Sequence, residues 1–404
     1  MALLFKIINI NLLQYFLLAV VIFTSAICSP SQPLTSSANG RTLVTISNPN
    51  CGDYQSCLKL TPKPDLVYTH STDNDTSIHF ISSTLGGFPG FFITRTATPT
   101  ILQINWDSLL NNCSDSFNLP SIPDDSIGVL LLSFFNIDHK DIHWTLDKNG
   151  SINCDSSTCK FGYTSSEQSS LNETISISLE MKNKQSSFED LPHLLFSPSS
   201  MHIDLQITNL DKSQMNKSDG IKLLVFSSFN EYKETLERTI DDENSPGVFT
   251  KRTFLFSQDN ENNTNFLQWK PVAYNSKERV MSKTMEINSS HLTDAELPRL
   301  NYPLYCFHKQ FYSNYSVHKF NASFVQEGKS SATKIDLITW SLIFGLDQPP
   351  KEKLSTFLQL MLFVGVGMSF VVMFVSLIYV VAKKWQKSRA TNEPTLINED
   401  ILDY

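Results

Sequence analysis

Most of the chain alternates between short apolar runs and clusters of turn-forming residues. Clear examples are residues 43–46, 101–106 and 128–135, with Asn, Asp, Gly, Pro and Ser between such runs. Short segments rich in Val, Ile, Phe and Thr and bounded by turn residues predict β-strands. No long helical period is visible before residue 357. The pattern therefore predicts a mainly β fold of packed antiparallel sheets, arranged as two β-sandwich-like units.

The least patterned stretch within this region is residues 183–200, which carry two prolines and many serines. Linkers between domains have this kind of composition, and the region is longer than a single hydrophobic core usually covers. We therefore expect a first β domain at residues 29–190 and a second at residues 191–350.

Residues 357–382 form an uncharged apolar run of 26 positions. A helix rises about 1.5 Å per residue, so about 20 apolar residues are enough to cross a bilayer. Four basic residues follow with no acid among them: Lys383, Lys384, Lys387 and Arg389. The run thus predicts a transmembrane helix after a short linker at residues 351–356, with residues 383–404 as a cytoplasmic tail.

Residues 1–28 have one early lysine, an apolar run at residues 12–23, and small residues before a potential cleavage point after Cys28. This pattern predicts a cleaved signal peptide, with an uncleaved signal anchor as the alternative. The protein is then a type I membrane protein with its large β region on the lumenal or extracellular side. From Pro349 to Thr356 the chain reaches at most about 26 Å even when extended. That short reach keeps the β region near the bilayer and favours lateral contact with another membrane protein.

Seven cysteines occur, and Cys28 falls at the signal-peptide junction. The other six are Cys51, Cys57, Cys113, Cys154, Cys159 and Cys306. An even number in an oxidising lumen predicts that all six form disulfides. Cys51 with Cys57 and Cys154 with Cys159 could each close a small loop, which would leave Cys113 to pair with Cys306. Six cysteines allow about fifteen pairings, so the alternatives stay open. The alternative, a structural zinc site, lacks the histidine pair that such sites place nearby.

The predicted lumenal part also holds nine Asn-x-Ser/Thr sequons, spread along its length. They are Asn74, Asn112, Asn149, Asn172, Asn216, Asn262, Asn288, Asn314 and Asn321. We expect these to be N-glycosylation sites on the surface of the folded protein. Asn112 is a special case, because a disulfide at Cys113 could form first and block it.

The formal net charge is −8, and basic and acidic residues balance in the predicted tail, so the lumenal part is acidic. Nucleic acid is therefore not an expected partner. Hydrolase elbow and zinc-helix motifs are absent from the sequence. Asp138, His139, Asp141 and His143 could place ligands on one strand face, and residues 241–243 could supply paired carboxylates. Solvent-exposed turns explain both groups equally well, so we expect no enzyme activity, metal or cofactor.

Several blocks of sequence resemble the glycosylated lysosomal membrane protein family, in the order found there. They are residues 104–106 with 109–110; 125–127; 240–243 with Pro246, Val248 and Phe249; QWKPVAY at 268–274; and Trp340 and Ser341 with Gly345, Pro349 and Pro350. The resemblance implies a heavily glycosylated, non-enzymatic lysosomal membrane protein. It further implies an accessory subunit that shields a major-facilitator-type dipeptide transporter from lumenal proteases. The alternatives are a lumenal sorting receptor or a membrane-anchored hydrolase.

Within these blocks, Trp269, Tyr274 and Trp340 are expected to be core aromatics, since large aromatic side chains are mostly buried. The acidic residues 241–243 are the better candidates for an exposed contact with a partner.

The predicted tail contains two candidate lysosomal sorting signals. Similar proteins carry a Tyr-x-x-apolar signal at the C-terminus, whereas Tyr404 is the last residue here. Glu393 with Leu396 and Ile397 resembles an acidic dileucine signal, and Ile401 with Leu402 is a weaker match. We therefore expect adaptor proteins to bind the tail.

Overall fold

A computed structural model describes most of the β region and the C-terminal helix. It covers residues 41–61, 65–85, 89–96, 98–119, 127–135, 144–147, 152–165, 174–182, 184–188, 191–209, 220–229, 231–241, 247–257, 264–285, 287–296, 302–323, 336–346, 348–351 and 356–390. The predicted signal peptide and residues 391–404 of the predicted tail lie outside the described residues.

The strands, in chain order, are β1 (Thr42–Ser47), β2 (Leu66–Thr72), β3 (Ser77–Ser83), β4 (Gly90–Thr96), β5 (Gln103–Ile104), β6 (Phe117–Asn118), β7 (Ile127–Phe135), β8 (Trp144–Leu146), β9 (Asn153–Cys154), β10 (Thr158–Ser165), β11 (Thr174–Glu180), β12 (Ser186–Phe188), β13 (Leu191–Phe196), β14 (Ser200–Thr208), β15 (Gly220–Ser227), β16 (Tyr232–Asp241), β17 (Gly247–Ser257), β18 (Thr264–Tyr274), β19 (Thr284–Met285), β20 (Asn288–Ser289), β21 (Thr293–Asp294), β22 (Ser316–Ser323) and β23 (Leu337–Leu346). The α-helices are α1 (Gln55–Leu58), α2 (Trp106–Asn111), α3 (Tyr302–Phe311) and α4 (Thr356–Ala390), and short 3-10 turns lie at Cys51–Asp53 and Met281–Lys283.

The strands form two large antiparallel sheets. One has nine strands in the order β1-β2-β3-β4-β7-β15-β22-β20, with β21 also paired to β22. The other has ten strands in the order β16-β17-β18-β23-β14-β11-β10-β8, with β19 paired to β18 and β9 to β10. Two small pairs, β5–β6 and β12–β13, stand apart from these sheets. The mainly β fold predicted from the sequence is confirmed.

No domain boundary falls between residues 190 and 191, which corrects the expected division into residues 29–190 and 191–350. In the nine-stranded sheet β7 pairs with β15, and in the ten-stranded sheet β11 pairs with β14 along their whole lengths. Both sheets therefore take strands from both halves of the chain, and the described residues up to Pro350 form one compact unit.

The stretch that resembled a linker is a hairpin that covers the outside of the ten-stranded sheet. β12 pairs with β13, and Leu194 and Phe196 of β13 are fully buried. They pack against Phe266 of β18 and Ile343 of β23. Ser186, Ser187 and Pro192 are therefore strand residues of a short packed hairpin, and Ser197, Pro198 and Ser199 form the turn that follows it.

The main core lies between the two sheets. β11 shows the alternation that predicts a half-buried strand, with Ile175, Ile177 and Leu179 buried. Side chains such as Phe80 of the nine-stranded sheet join these residues in one hydrophobic cluster. The two sheets thus face each other across a shared apolar layer, as in a sandwich.

A second core covers the other face of the nine-stranded sheet. Phe92 of β4 and Phe226 of β15 point away from the first core and pack with Trp106 of α2 and Phe307 of α3. The ring centroids of Phe92 and Phe307 lie 4.6 Å apart. Because its two faces are both covered, the nine-stranded sheet has long buried stretches, such as all seven residues of β3.

The C-terminal helix α4 contains the predicted membrane span and forms a separate unit from Lys351 onward. Among the described residues it is the one helix long and apolar enough to cross a membrane, over Gln359–Ser388. It continues to Ala390, beyond the predicted end at residue 382, so the first basic residues of the predicted tail are helical. Lysine and glutamine favour helices, and cations near a helix C-terminus interact well with its dipole, which explains the extension.

Candidate functional site

A polar cavity of about 650 Å³ lies beside α2, in the region that covers the nine-stranded sheet. Its walls come from the 3-10 turn near the N-terminal end of the β region, from the β5–β6 pair, from the loop after α2, and from α3. Pockets of this size hold small organic ligands in other proteins. We take it as a candidate ligand site.

Two disulfides fix the walls of the cavity. Cys51–Cys57 closes the loop that carries the 3-10 turn, and Cys113–Cys306 joins the loop after α2 to α3 across 193 residues of sequence. Between them, the indole Nε1 of Trp106 donates a hydrogen bond to the carbonyl oxygen of Pro49 at 2.8 Å. These links hold together chain segments that are far apart in sequence.

Gln310 of α3 ties the β5–β6 pair to the helix. Its side-chain Nε2 donates to the carbonyl oxygen of Phe117 at 2.6 Å, and its Oε1 accepts from the backbone N–H of Phe117 at 3.1 Å. Asn105 caps α2 by accepting from the backbone N–H of Ser108 at 3.1 Å. These two amides line the cavity but have their hydrogen bonds within the protein.

Left-handed backbone conformations are concentrated around the cavity. Five described non-glycine residues have positive φ, and four of them lie here: Asn48 at 45°, Asn50 at 61°, Cys113 at 64° and Asp115 at 54°. Asn and Asp tolerate this region of φ and ψ, whereas for a cysteine it is costly. Such conformations persist where the surrounding structure imposes them and are frequent at ligand sites.

The cavity lining is rich in carboxylates and amides. Asp53 and Asp115 supply carboxylates, while Asn50, Gln103 and Asn118 supply exposed side-chain amides. The described part of the lining contains no lysine, arginine or histidine. Tyr54 and a floor of buried apolar side chains complete it. The site therefore offers many hydrogen-bond acceptors and several donors, with a negative charge.

A buried hydrogen-bond chain runs through His79 in the nine-stranded sheet. The Tyr68 hydroxyl accepts from the Leu102 N–H at 3.0 Å and lies 2.9 Å from His79 Nδ1. His79 Nε2 lies 2.9 Å from Thr96 Oγ1. With the Tyr68 hydroxyl donating to Nδ1 and Nε2–H donating to Thr96, the neutral imidazole satisfies both ring nitrogens. Burial lowers the pKa of His79 to about 3, which keeps it neutral.

A second buried polar group is centred on Asp204, on the face of the ten-stranded sheet that points away from the main core. Asp204 of β14 accepts from Ser341 Oγ at 2.6 Å and from Gln206 Nε2 at 2.9 Å, and forms an ion pair with Arg279 at 2.8 Å. Burial lowers the pKa of neighbouring His202 to about 4. The ion pair fastens the segment after β18 to the sheet, and the fully used carboxylate indicates a structural role.

The six predicted disulfide cysteines are paired as Cys51–Cys57, Cys113–Cys306 and Cys154–Cys159. This is the arrangement in which each close pair closes a small loop. Cys154 and Cys159 face each other across the β9–β10 pair.

Several predicted glycosylation sites are at the surface of the described structure. Asn74, Asn112 and Asn314 are exposed in turns, and Asn321 is half-buried in β22. Asn288 belongs to β20, where it pairs with Ser323. Asn149, Asn172, Asn216 and Asn262 lie outside the described residues.

Other predicted sites lie outside the described part of the chain or are in the core. The tail residues Glu393, Leu396, Ile397, Ile401 and Leu402 are among the undescribed residues, as are Asp138, His139, Asp141, His143, Asp242 and Glu243. Within the residues that are described, acidic, cysteine and histidine side chains form no group of three or more that could hold a metal. Trp269, Tyr274 and Trp340 are buried, as predicted.

The cavity was not predicted from the sequence, although one of its walls is formed by a short local run of residues. Asn48, Asn50 and Asp53 stand around Pro49, Cys51 and Gly52, a run of turn-forming residues beside a cysteine. Such a run predicts a tight, disulfide-closed turn. Its distant partners, at residues 103–119 and Gln310, become visible only in the folded chain.

The comparisons with known proteins agree with a membrane anchor. A family profile described as "Glycosylated lysosomal membrane protein" matches residues 65–387. "Glycosylated lysosomal membrane protein A" of Xenopus laevis is 20% identical, covering 79% of this chain and 86% of that protein. "Glycosylated lysosomal membrane protein" of Danio rerio is 21% identical, covering 83% of this chain and 88% of that protein. The chain is therefore a member of the glycosylated lysosomal membrane protein family, a single-pass protein of the lysosomal membrane.

Proposed function

We propose that this protein is a non-enzymatic accessory subunit that binds a major-facilitator-type transporter in the lysosomal membrane and protects it from lumenal proteases. The observation that carries the proposal is the continuous core between the two sheets, with a second core held by Cys113–Cys306, in a chain whose described residues contain one helix able to span a membrane. Such a chain combines a membrane anchor with a body that resists proteolysis.

The anchor suits association with other helices rather than solute transport. Its apolar stretch holds no charged residue, and the hydroxyls of Ser369 and Ser376 donate to the carbonyls of Gly365 and Val372 in the same helix. Gly365 and Gly367 leave open space at the helix surface. Small residues of this kind let another helix approach closely, but these two alone do not select a partner. The anchor therefore serves as a tether, and the lumenal β region is proposed to supply the specific contact.

The folded β region resists proteases, because a protease needs a locally unfolded, extended segment. Long strands such as β14 and β23 are paired on both sides within the ten-stranded sheet. Its edge strand β16 carries Lys233, Glu234 and Glu237, and charged residues discourage pairing with another chain. Glycans at exposed Asn74, Asn112 and Asn314 would cover further turns.

The partner contact is proposed to include the acidic residues 241–243 at the end of β16. They combine negative charge with the turn-forming neighbours Asn244, Ser245 and Pro246. Charges at the rim of an interface govern partner choice and association rate more than affinity. A basic lumenal loop of the transporter is the complementary surface.

Purification of the full-length protein in mild detergent, followed by identification of the proteins that remain bound, tests the proposal. We expect a multi-span transporter in stoichiometric amount. A soluble fragment ending near Ser355 is the control and should retain less of the partner. If no multi-span protein is recovered, or if the soluble fragment has hydrolase activity, the accessory-subunit proposal is wrong.

A further inference from the structure

The amides and carboxylates of the cavity beside α2 are largely free to meet a ligand. Asn50 Nδ2 lies 3.5 Å from Asp53 Oδ2, and Asn118 Nδ2 lies 3.5 Å from Gln103 Oε1. These are long contacts for hydrogen bonds, so the groups interact only weakly with each other. Gln310 and Asn105, in contrast, are committed to the backbone and form part of the frame.

The composition of the lining selects the chemical class of the ligand. Among the described residues, two carboxylates and no cationic side chain line the cavity, so phosphate, sulfate and other anions are disfavoured. A cationic amine would meet the carboxylates but would make no use of the amide N–H donors. A saccharide satisfies both, because each hydroxyl donates to a carboxylate and accepts from an amide. Tyr54 adds an aromatic ring of the kind that packs against sugar rings.

We propose that this cavity binds a neutral mono- or disaccharide. Asp53 and Asp115 accept hydrogen bonds from sugar hydroxyls, and Asn50, Gln103 and Asn118 donate and accept at the rim. The two disulfides and the Gln310 contacts hold these groups in place before binding, which reduces the entropy lost on association. The family names say nothing of such an activity.

Calorimetric titration of the full-length glycoprotein in detergent tests the proposal. The probes are N-acetylglucosamine, chitobiose and mannose, with the dipeptide glycyl-lysine as a cationic comparison. Because Asn112 lies next to Cys113 and its own glycan could fill the cavity, the titrations are repeated on an Asn112→Gln variant. Asp53→Ala and Asn118→Ala change the rim, and Asp107→Asn, on the exposed surface of α2 outside the cavity, is the matched control.

We expect saturable binding of at least one saccharide. Each rim substitution should weaken it by about tenfold, or about 1.4 kcal/mol, while Asp107→Asn leaves it unchanged. A thermal unfolding midpoint equal to that of the wild type shows that each variant keeps the fold. The proposal is overturned if no saccharide binds either the wild type or Asn112→Gln, if the rim variants bind as the wild type does, or if glycyl-lysine binds in preference to the sugars.

Discussion

Trp269 of β18 and Phe320 of β22 meet edge to face, with their ring centroids 4.3 Å apart. Trp340 of β23 completes the group, 6.1 Å from Trp269 and 5.9 Å from Phe320. The tryptophans belong to the ten-stranded sheet and Phe320 to the nine-stranded sheet. This aromatic cluster therefore binds the two sheets together at the centre of the shared core.

Phe320→Ala should destabilise both sheets together, because it removes the aromatic group of one sheet from this cluster. We expect a loss of about 3–5 kcal/mol in the free energy of unfolding. Leu236→Ala is the matched control, since Leu236 is 55% exposed on β16, and should change stability by no more than about 0.5 kcal/mol. Urea unfolding followed by tryptophan fluorescence and by circular dichroism measures both. Two separate transitions would contradict a single two-sheet unit.

The disulfide Cys113–Cys306 should contribute more to stability than the short-range disulfide Cys154–Cys159. Loop-closure entropy grows with loop length, and the separations are 193 and 5 residues. Replacing Cys113 and Cys306 with Ala should cost about 2–5 kcal/mol, and the same change at Cys154 and Cys159 should cost less. Thermal unfolding of the two double variants gives the comparison. An equal or reversed order would show that the long disulfide is not a main constraint.

His79 should make stability depend on pH. Its pKa is lowered to about 3 in the folded state by burial, against about 6.5 for an ordinary histidine. Between these values the unfolded chain binds the proton and the folded chain does not, so stability falls as pH drops from about 6.5 toward 3. At pH 5 the loss from this group is about 2 kcal/mol relative to pH 7.

His79→Gln should therefore shrink the difference in unfolding free energy between pH 7 and pH 5 by about 2 kcal/mol. Thr96→Val is the control, because it removes a hydrogen-bond partner but leaves the titrating group, and it should keep the pH difference. Urea titrations at the two pH values measure both variants. An unchanged difference in His79→Gln would mean that the pKa of His79 is not lowered by folding, which would contradict the prediction.

The elements that depend on local pattern were predictable. Ile175, Ile177 and Leu179 alternate with polar residues, so their strand could be recognised from a short window of sequence. The apolar run of α4 was equally clear, since only a membrane or a core accommodates it. The expected domain division failed because strand pairing is non-local. The pairings of β11 with β14 and of β7 with β15 join the two halves of the chain, and neither pairing is visible in the local sequence.

The cavity could not be predicted for the same reason. Asp53, Asn118 and Gln310 line one space, yet they lie far apart in sequence. Cys113–Cys306 is one link that brings their segments together, and the sequence left many cysteine pairings open. Nothing in the sequence distinguishes His79 from other polar residues of alternating strands, because its two buried hydrogen-bond partners are brought next to it only by the fold.

The tail should direct the protein to lysosomes through Leu396 and Ile397, with Ile401 and Leu402 as the weaker signal. Both are apolar pairs beside acidic residues in a short polar segment. Replacing all four with Ala should move the protein to the cell surface, as measured by surface biotinylation. Replacing Thr391 and Asn392 with Ala is the control and should leave its location unchanged. Lysosomal location of the fourfold variant would exclude these pairs as the signal.

The partner's lifetime in lysosomes is the most direct test of the accessory-subunit account. Residues 357–382 are replaced with an unrelated apolar span in one variant, and the β region is destabilised by Phe320→Ala in another. The half-life of the co-purified transporter is then followed in cells that express each variant at matched levels. The account predicts an unchanged half-life with the exchanged span and a shorter one with the destabilised β region. A short half-life with the exchanged span, in a protein whose β region remains folded, would contradict it.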